Sequence, residues 1–212
     1  MIISNIFRLK KNLIIGKKRS RIRTELAIDK FFVFNTETMS QPNISVLVDY
    51  AHEPESMKQL LTTIASWRTR GLYDCIIHIV SCDGAGRDNW KKEIMGKISY
   101  DIADYSVVTL DNYDANDNPI EILAMLCKQL PPEQKDIKYQ VTASRKNAFD
   151  LAIKKAIDLQ KNYGRLTPDP LKILIVSTGV GSENGLTQPG GIMEWNESKE
   201  WEKSFQELMR IK

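Results

Sequence analysis

The sequence predicts an α/β fold: a mainly parallel sheet of about six strands, covered by helices on both faces. Two observations lead to this prediction. Short apolar runs alternate with segments of helical periodicity along most of the chain, and the runs are apolar at successive residues rather than at every second one. Strands of this kind must be buried on both faces, which is typical of parallel sheets between two helical layers. The predicted arrangement is a Rossmann-like, three-layer α/β/α domain.

Five strand-then-helix units justify this arrangement in chain order. The strands are predicted at 31–35, 44–50, 75–80, 105–110, 137–142 and 172–177. The helices are predicted at 54–68, 90–102, 119–130, 144–160 and 200–209. Pro54 suits a first helical turn, where its missing N–H needs no partner, and Ser144 is the expected N-cap of the fourth helix. Helical spacing predicts two buried faces, formed by Met57, Leu60, Leu61, Ile64 and Trp67, and by Ile94, Met95, Ile98 and Ile102.

Composition narrows the class of protein. The chain has 212 residues, 42% of them hydrophobic, which suits one domain with its own core. Its 3 cysteines are an odd number without CxxC spacing, so no disulfide framework is expected and a reducing, cytoplasmic location is predicted. The 2 histidines do not complete a zinc motif with them.

Charge separates the N-terminal segment from the rest of the chain. Residues 1–30 hold nine Lys or Arg and two acidic residues, whereas residues 31–212 are mildly acidic. We therefore expect a basic extension at 1–30, either unstructured or helical, and one domain at 31–212. An acidic domain argues against nucleic-acid binding. A membrane-surface helix within 1–30 is the alternative to a loose or partner-packed extension, and the extension is favoured.

The loops at the two ends of the predicted sheet differ in composition. Those that follow the strands read DYAHEP, SCDGAGRD, DNYDANDNP and STGVGSENG, rich in Gly, Asp and Asn. Those that precede the strands read RTRGLYD, SYDIAD, LPPEQKD and YGRLTPDP, which are ordinary connections. Ligands of parallel α/β sheets bind beyond the carboxyl ends of the strands. The asymmetry predicts a polar ligand at that edge, with a phosphate as one candidate.

Standard motifs do not identify this ligand. The chain has no GxxxxGK[ST] loop, and GAGRDNW lacks the third glycine of a dinucleotide fingerprint. Asp83 and Asp88 have no third close ligand, so no metal site is predicted. His78 lies within a strand and is interpreted as a core residue, while nothing in the sequence activates Cys82 as a nucleophile.

Taken together, five segments resemble one family. VLVDYAHEPESMKQLL, GAGRDNWKKEIMGKI, DYSVVTLDNYDANDNPIEI, SRKNAFDLAI and ILIVSTGVGSE follow one another as in the C-terminal (glutamate ligase) domain of Mur ligases. The nearest resemblance is to the UDP-N-acetylmuramoyl-tripeptide synthetases, over about residues 44–212. The motifs VDYAHxP and GRDxWKxxxMGKI are specific in combination, although neither alone would suffice.

The resemblance implies the C-terminal domain of an ATP-dependent ligase of peptidoglycan precursor synthesis. Such a domain closes over the nucleotide and positions the amino acid that is joined to a UDP-N-acetylmuramoyl-peptide. The residues that match the family's functional positions are Arg87 and Lys91 as catalytic residues, Asp49 and His52 as nucleotide-binding residues, and Asn112, Gly179, Gly181 and Glu183 as amino-acid-binding residues.

Three departures from the family pattern leave parts of this function open. The amino-acid selection loop reads Asp111-Asn112-Tyr113-Asp114 where the family has Asp-Asn-Pro-Arg, and Val180 and Ser182 replace a lysine and a histidine. The amino acid is therefore not predicted. The family's central domain, which carries the P-loop and most of the magnesium ligands, has no counterpart here. We expect a separate P-loop domain to be needed for catalysis with ATP and Mg²⁺.

Alternatives remain for the residues and for the whole chain. Asp49 could cap the helix at 54–68, Arg87 could pair with Asp83 or Asp88, and the two glycines could be turn residues. The chain could be a noncatalytic nucleotide- or amino-acid-binding module derived from the ligase domain. A membrane-associated scaffold acting through residues 1–30 is a third hypothesis.

Overall fold

The computed structural model describes residues 30–33, 43–84, 88–163 and 169–210, of which 30–33, 209 and 210 are described by their backbone only. The expected extension at 1–30 lies almost wholly outside this range. The elements are β1 (Lys30–Val33), β2 (Ile44–Val48), α1 (Pro54–Thr69), β3 (Cys75–Val80), α2 (Asn89–Ile102), β4 (Tyr105–Val108), α3 (Pro119–Cys127), a short 3₁₀ turn (Pro132–Gln134), β5 (Tyr139–Val141), α4 (Arg145–Tyr163), β6 (Ile173–Ser177), β7 (Gly185–Gln188), β8 (Gly191–Glu194) and α5 (Glu197–Arg210).

The described strands form a six-stranded sheet in the order β1-β2-β6-β3-β4-β5. Strands β2 to β6 pair in parallel, and only β1 runs antiparallel, against β2. Strand β6, which comes last in the chain among the six strands of this sheet, lies between β2 and β3, so the loops after these three strands are neighbours at one edge. This confirms the predicted mainly parallel sheet.

Two apolar layers cover the sheet. Alternate residues of each central strand point to opposite faces: Ile173 and Ile175 of β6 join the layer beneath α4 and α5, while Leu174 and Val176 join the layer beneath α1, α2 and α3. The first layer centres on Phe149, whose ring stacks on that of Trp201 with centroids 4.1 Å apart. Both faces of the strands are therefore buried, as their uninterrupted apolar sequences require.

Local sequence sets the helix starts. Glu53 and Ser56 form a reciprocal capping box at the start of α1, so the N-cap residue of this helix is Glu53 rather than Asp49. The side chain of Asn118 accepts a hydrogen bond from the backbone N–H of Ile120 and caps α3. The hydroxyl of Ser144 accepts one from the backbone N–H of Asn147, which confirms it as the cap of α4.

Two features differ from the sequence prediction. An antiparallel hairpin, β7–β8, follows β6, although its glycine-rich sequence predicted only a loop. Ile94 was assigned to the buried face of α2, but it is exposed, whereas Met95 is fully buried. The reason is that the buried side of α2 is not wholly apolar: it runs through Lys91, Lys92 and Ser99 as well as Met95, and Ile94 lies outside it. Among the described helices, none is both long and apolar enough to span a membrane.

The crossing of α2 and α3 depends on Gly96, and this yields a stability prediction. A Cβ at Gly96 would overlap the backbone carbonyl of Leu126. Alanine normally stabilises a helix interior relative to glycine by about 1 kcal/mol. Here we expect Gly96→Ala to lower the free energy of unfolding by about 3 kcal/mol, because a backbone clash forces the helices apart. Urea unfolding measures the change.

Gly190→Ala is the matched control, since nothing lies within 4 Å of a Cβ at that position in the hairpin turn. It should change stability by less than about 0.5 kcal/mol. A Gly96→Ala protein as stable as the wild type would contradict the described packing of α2 against α3.

Candidate functional site

The loops after four parallel strands meet at the carboxyl edge of the sheet. Ser81 follows β3, Asp111 follows β4, and Thr178 follows β6. The hydroxyl of Ser81 lies 3.0 Å from Oδ2 of Asp111 and 3.2 Å from the carbonyl oxygen of Thr178. The loop after β2 is tied to the same place, because the backbone N–H of Asp49 donates to the carbonyl of Ser177 at 3.0 Å. The polar residues thus gather as the loop composition predicts.

Glu183 is the meeting point of three of these loops. The phenol of Tyr50, in the loop after β2, donates to Oε1 of Glu183 at 2.9 Å. The side-chain amide of Asn112, in the loop after β4, donates to Oε2 at 3.2 Å. The hydrogen bond to Glu183, together with burial and the Glu183 charge, raises the pKa of Tyr50 to about 12. The phenol therefore remains a donor at neutral pH, and it orients the carboxylate.

Asn112 also connects the site to the β7–β8 hairpin. Its Oδ1 accepts a hydrogen bond of 2.8 Å from the backbone N–H of Thr187, and the backbone of Tyr113 bonds to the carbonyl of Thr187 at 3.0 Å. Both ends of the Asn112 amide are therefore engaged, one by the hairpin and one by Glu183. This arrangement fixes which way the amide points.

Asp111 lies beneath Asn112 and is 3% exposed. Its Oδ1 accepts a hydrogen bond from the backbone N–H of Asn112, and its Oδ2 accepts one from Ser81. Gly179, at φ +105°, makes this possible, because a Cβ there would overlap both Asp111 Oδ2 and Ser81 Oγ. Burial raises the pKa of Asp111 to about 6, even though the charge of Arg145 and the Ser81 bond act in the opposite direction.

A buried ion pair supports this cluster from below. Nη2 of Arg145, the first residue of α4, lies 2.6 Å from Oε1 of Glu197, the first residue of α5, and both side chains are at most 3% exposed. Ser177 and the indole N–H of Trp195 also donate to Glu197, at 2.6 and 2.7 Å. Burial by itself would lower the pKa of Arg145, but the charge of Glu197 outweighs it, so the guanidinium remains protonated.

The two predicted nucleotide-binding residues lie together at the same edge. Asp49 is buried, and its Oδ1 accepts a hydrogen bond of 2.9 Å from the backbone N–H of Ala51. Nδ1 of His52 lies 2.9 Å from the carbonyl oxygen of Tyr50, and the ring packs edge-on against Tyr50. The Tyr50 side chain therefore contacts both His52 and Glu183.

The predicted catalytic residues are only partly described. Arg87 lies outside the described residues, so its contacts with Asp83 or Asp88 are not assigned. Nζ of Lys91 donates to Oε1 of Glu53 at 2.7 Å and lies 3.9 Å from Asp88. Burial alone would lower the pKa of Lys91, but the hydrogen bond to Glu53 and the nearby acidic groups raise it. Lys91 ties the start of α2 to the start of α1. Gly181, at φ +57°, forms the turn that leads to Glu183.

His78 and Cys82 do not form a nucleophilic site. The ring nitrogens of His78 lie 2.8 Å from the Ser99 hydroxyl and 3.0 Å from the Thr178 hydroxyl, and burial lowers its pKa to about 3. This confirms His78 as a core residue with both nitrogens engaged. Burial raises the pKa of the Cys82 thiol to about 11, so the thiol is protonated at neutral pH. Among the described residues, no group of three or more potential ligands could hold a metal ion.

Sequence reasoning missed five residues of this cluster: Tyr50, Ser81, Asp111, Arg145 and Glu197. Tyr50, Ser81 and Asp111 stand in the loops that composition singled out, directly after the ends of strands, and that position is a usable signal. Arg145 and Glu197 offered no such signal. Each looks like an ordinary charged residue at a helix start, and only the fold shows that the two are buried against each other.

Fold and site together define a parallel α/β domain that gathers polar loops at the carboxyl edge of its sheet, and comparison with known proteins identifies it further. The family described as "Mur ligase, glutamate ligase domain" matches residues 36–161, more than half of the chain. The chain belongs to this family. The match includes Asp49, His52 and Asn112 but ends before Gly179.

Individual relatives agree with the family match. A UDP-N-acetylmuramoyl-L-alanyl-D-glutamate–2,6-diaminopimelate ligase of Syntrophomonas wolfei is 30% identical over 157 residues, or 74% of this chain and 28% of the relative. One of the same name from Oceanobacillus iheyensis is 34% identical over 114 residues, or 54% of this chain and 22% of the relative. The chain thus matches 22% to 28% of the length of these two relatives.

A solved structure shows the same fold. The structure of a UDP-N-acetylmuramoyl-L-alanyl-D-glutamate–2,6-diaminopimelate ligase superimposes with a TM-score of 0.66 over 92% of this chain and 33% of its own, at 18% sequence identity. At this identity the likeness concerns the fold alone. The six-stranded sheet and its helical layers are therefore those of a Mur ligase C-terminal domain.

The buried carboxyl of Asp111 leads to a pH-dependent prediction. Its pKa rises from 3.8 in the unfolded chain to about 6 in the folded one, so its ionisation destabilises the fold as the pH rises from about 4 through 6. Asp111→Asn removes this cost and keeps the shape. We expect the variant to match wild-type stability near pH 3.5 and to exceed it by up to ~3 kcal/mol above pH 7.

Urea unfolding at a series of pH values measures this difference. Asp101→Asn is the control, since Asp101 is exposed and pairs with Lys97 on the surface of α2. The control should show no gain that grows with pH. A constant difference between Asp111→Asn and the wild type across the range would mean that Asp111 is not buried as described.

Proposed function

We propose that the chain is the C-terminal domain of an ATP-dependent Mur-type amino-acid ligase of peptidoglycan precursor synthesis. In this role it closes over the nucleotide and positions the incoming amino acid at Glu183. A P-loop central domain, supplied by another segment or another chain, provides the phosphate-binding machinery. The reaction belongs in the cytoplasm, where thiols such as Cys75 and Cys82 remain reduced. The observation that carries the proposal is the convergence of Tyr50, Asn112 and Glu183.

The proposed chemistry has two steps. The terminal carboxylate of the UDP-N-acetylmuramoyl-peptide attacks the γ-phosphoryl group of ATP, forming an acyl phosphate and releasing ADP. The amine of the amino acid, after losing a proton, attacks the acyl carbon, forming the amide C–N bond and expelling phosphate. An enzyme domain helps the second step by holding the amine close to the acyl phosphate in a fixed direction.

Glu183 is suited to hold the amino acid by its ammonium group. Its carboxylate accepts hydrogen bonds from Tyr50 and Asn112, which fix its orientation but leave lone pairs for a third donor. A charge-assisted bond to an ammonium is among the stronger hydrogen bonds of proteins. Deprotonation of the amine weakens this interaction, so the role of Glu183 is to bind and place the amino acid before the attack.

The remaining roles follow the family resemblance. Asp49 and His52 lie one and four residues beyond the end of β2 and are assigned to the nucleotide, where a buried carboxylate can accept hydrogen bonds from the ribose hydroxyls. Arg87 and Lys91 are assigned to the phosphate or carboxylate charge of the reacting groups. Gly179 and Gly181 shape the loop that carries Glu183. Mg²⁺ is assigned to the ATP phosphates and the central domain.

Two observations support the need for a partner domain. The printed sequence contains no GxxxxGK[ST] loop. In addition, large apolar side chains are exposed near the carboxyl edge: Trp90 and Ile120, in the first turns of α2 and α3, are 61% and 75% exposed, and Ile192 of the hairpin is 81% exposed. Exposed apolar residues around a polar site favour coverage by another protein surface.

Reconstitution tests this proposal. The chain is mixed with the N-terminal and central domains of the Syntrophomonas wolfei ligase, ATP, Mg²⁺ and UDP-N-acetylmuramoyl-L-alanyl-D-glutamate. Release of ADP is then followed with a panel of amino acids that includes alanine, lysine and 2,6-diaminopimelate. We expect ADP release that depends on both the chain and one amino acid.

Glu183→Gln provides the mechanistic comparison, because the amide keeps an acceptor for Tyr50 but loses the charge that binds ammonium. It should raise the KM for the amino acid about 10- to 100-fold. Glu133→Gln, exposed at the opposite edge, should leave that KM unchanged. Binding of nucleotide or amino acid by the chain without any ADP release in the mixture would instead indicate a noncatalytic binding module.

A further inference from the structure

We propose that Arg145 is a positioning residue of the amino-acid site: through Ser81 and Asp111 it fixes the Asn112–Glu183 pair. The structural part of this inference stands on the contacts below. Its consequence for substrate rests on the ligase function proposed above. Neither the family match nor the relatives' names assign a role to Arg145.

One guanidinium links the ends of two central strands. Nη1 of Arg145 donates to Ser81 Oγ, after β3, at 2.8 Å. Nη2 donates to Ser177 Oγ at 3.2 Å and to the carbonyl of Thr178 at 3.0 Å, at the end of β6. Its planar fork is held in place by Glu197 on the other side. Arg145 therefore sets the spacing between the loop that begins at Ser81 and the loop that leads to Glu183.

Arg145 also determines the direction of the Ser81 hydroxyl. A hydroxyl has one proton to donate, and its oxygen already accepts from Nη1 of Arg145. The proton must therefore point away from the guanidinium. The nearest acceptor is Oδ2 of Asp111 at 3.0 Å, with the carbonyl of Thr178 at 3.2 Å as the second choice. Arg145 thus makes Ser81 a donor to Asp111.

Asp111 connects Ser81 to Asn112 and so to the site. With Oδ2 held by Ser81, its Oδ1 accepts from the backbone N–H of Asn112 at 2.9 Å. The amide of Asn112 then reaches Glu183 at 3.2 Å. Gly179 leaves the space in which Asp111 and Ser81 meet. The role of this glycine is therefore to admit the Asp111 carboxylate, since the space beside its Cα is already filled by protein.

The experiment compares two serine-to-alanine variants of the full chain. Ser81→Ala removes the link between Arg145 and Asp111. Ser106→Ala is the matched control: it deletes another fully buried hydroxyl, one that bonds to Ser99 and is separated from Thr178 by Ser99 and His78. Hydrogen exchange of the Asn112 side-chain amide, followed by NMR, reports directly on the Asn112–Glu183 bond.

We expect this exchange to become about tenfold faster in Ser81→Ala and to stay within twofold of wild type in Ser106→Ala. Arg145→Lys, which keeps a positive charge beside Glu197 but lacks the fork, should resemble Ser81→Ala. Wild-type exchange in Ser81→Ala, or equal acceleration in both serine variants, would overturn the positioning role. A purely structural role would produce that equal acceleration.

Kinetics of the reconstituted mixture test the consequence for substrate. Ser81→Ala should raise the KM for the amino acid about tenfold and leave the KM for ATP within twofold. An active wild-type mixture with both KM values unchanged in Ser81→Ala would overturn this consequence. An inactive wild-type mixture would count against the proposed ligase function, while the exchange measurement would still decide the positioning role.

Discussion

The buried ion pair between Arg145 and Glu197 is the interaction on which the carboxyl edge of this domain depends. Removing two charges from water costs several kcal/mol each, and such a pair is tolerated only when its remaining donors and acceptors are engaged. Here Ser177 and Trp195 donate to Glu197, while Ser81 and the carbonyl of Thr178 accept from Arg145. The pair joins the starts of α4 and α5 to the ends of β3 and β6.

This ion pair fixes the conformation of the loops that form the site. The glycine-rich loops that follow the strands could adopt many conformations by themselves, because Gly179 and Gly181 both have positive φ angles. The hydrogen bonds of Arg145 stabilise one of these loop conformations, in which Asn112 contacts Glu183. Burial of Asp111 within these contacts raises its pKa to about 6, so the same cluster that orders the loops also lowers stability at neutral pH. A cost of this kind is typical of functional sites.

Much of the fold follows from local sequence, whereas the site does so only in part. Uninterrupted apolar strands and capped helices predicted the parallel sheet, because burial on both faces leaves few other arrangements. Asn112 and Glu183 are predicted as amino-acid-binding residues from the family resemblance of their loops, and the structure brings their side chains together at the carboxyl edge. Arg145 and Glu197 are 52 residues apart, and no local pattern pairs them. The β7–β8 hairpin escaped prediction because its strands are short and β8 is exposed along its whole length.

Native-state hydrogen exchange of an Arg145→Met, Glu197→Gln double variant tests the central claim most directly. Arg145→Met alone should cost about 3–5 kcal/mol, since it leaves Glu197 buried without its partner, and the double variant should recover most of that loss. We expect the backbone amides of 111–114 and 178–184 still to exchange at least tenfold faster in the double variant than in the wild type. Wild-type protection of these loops in a double variant of recovered stability would contradict the claim.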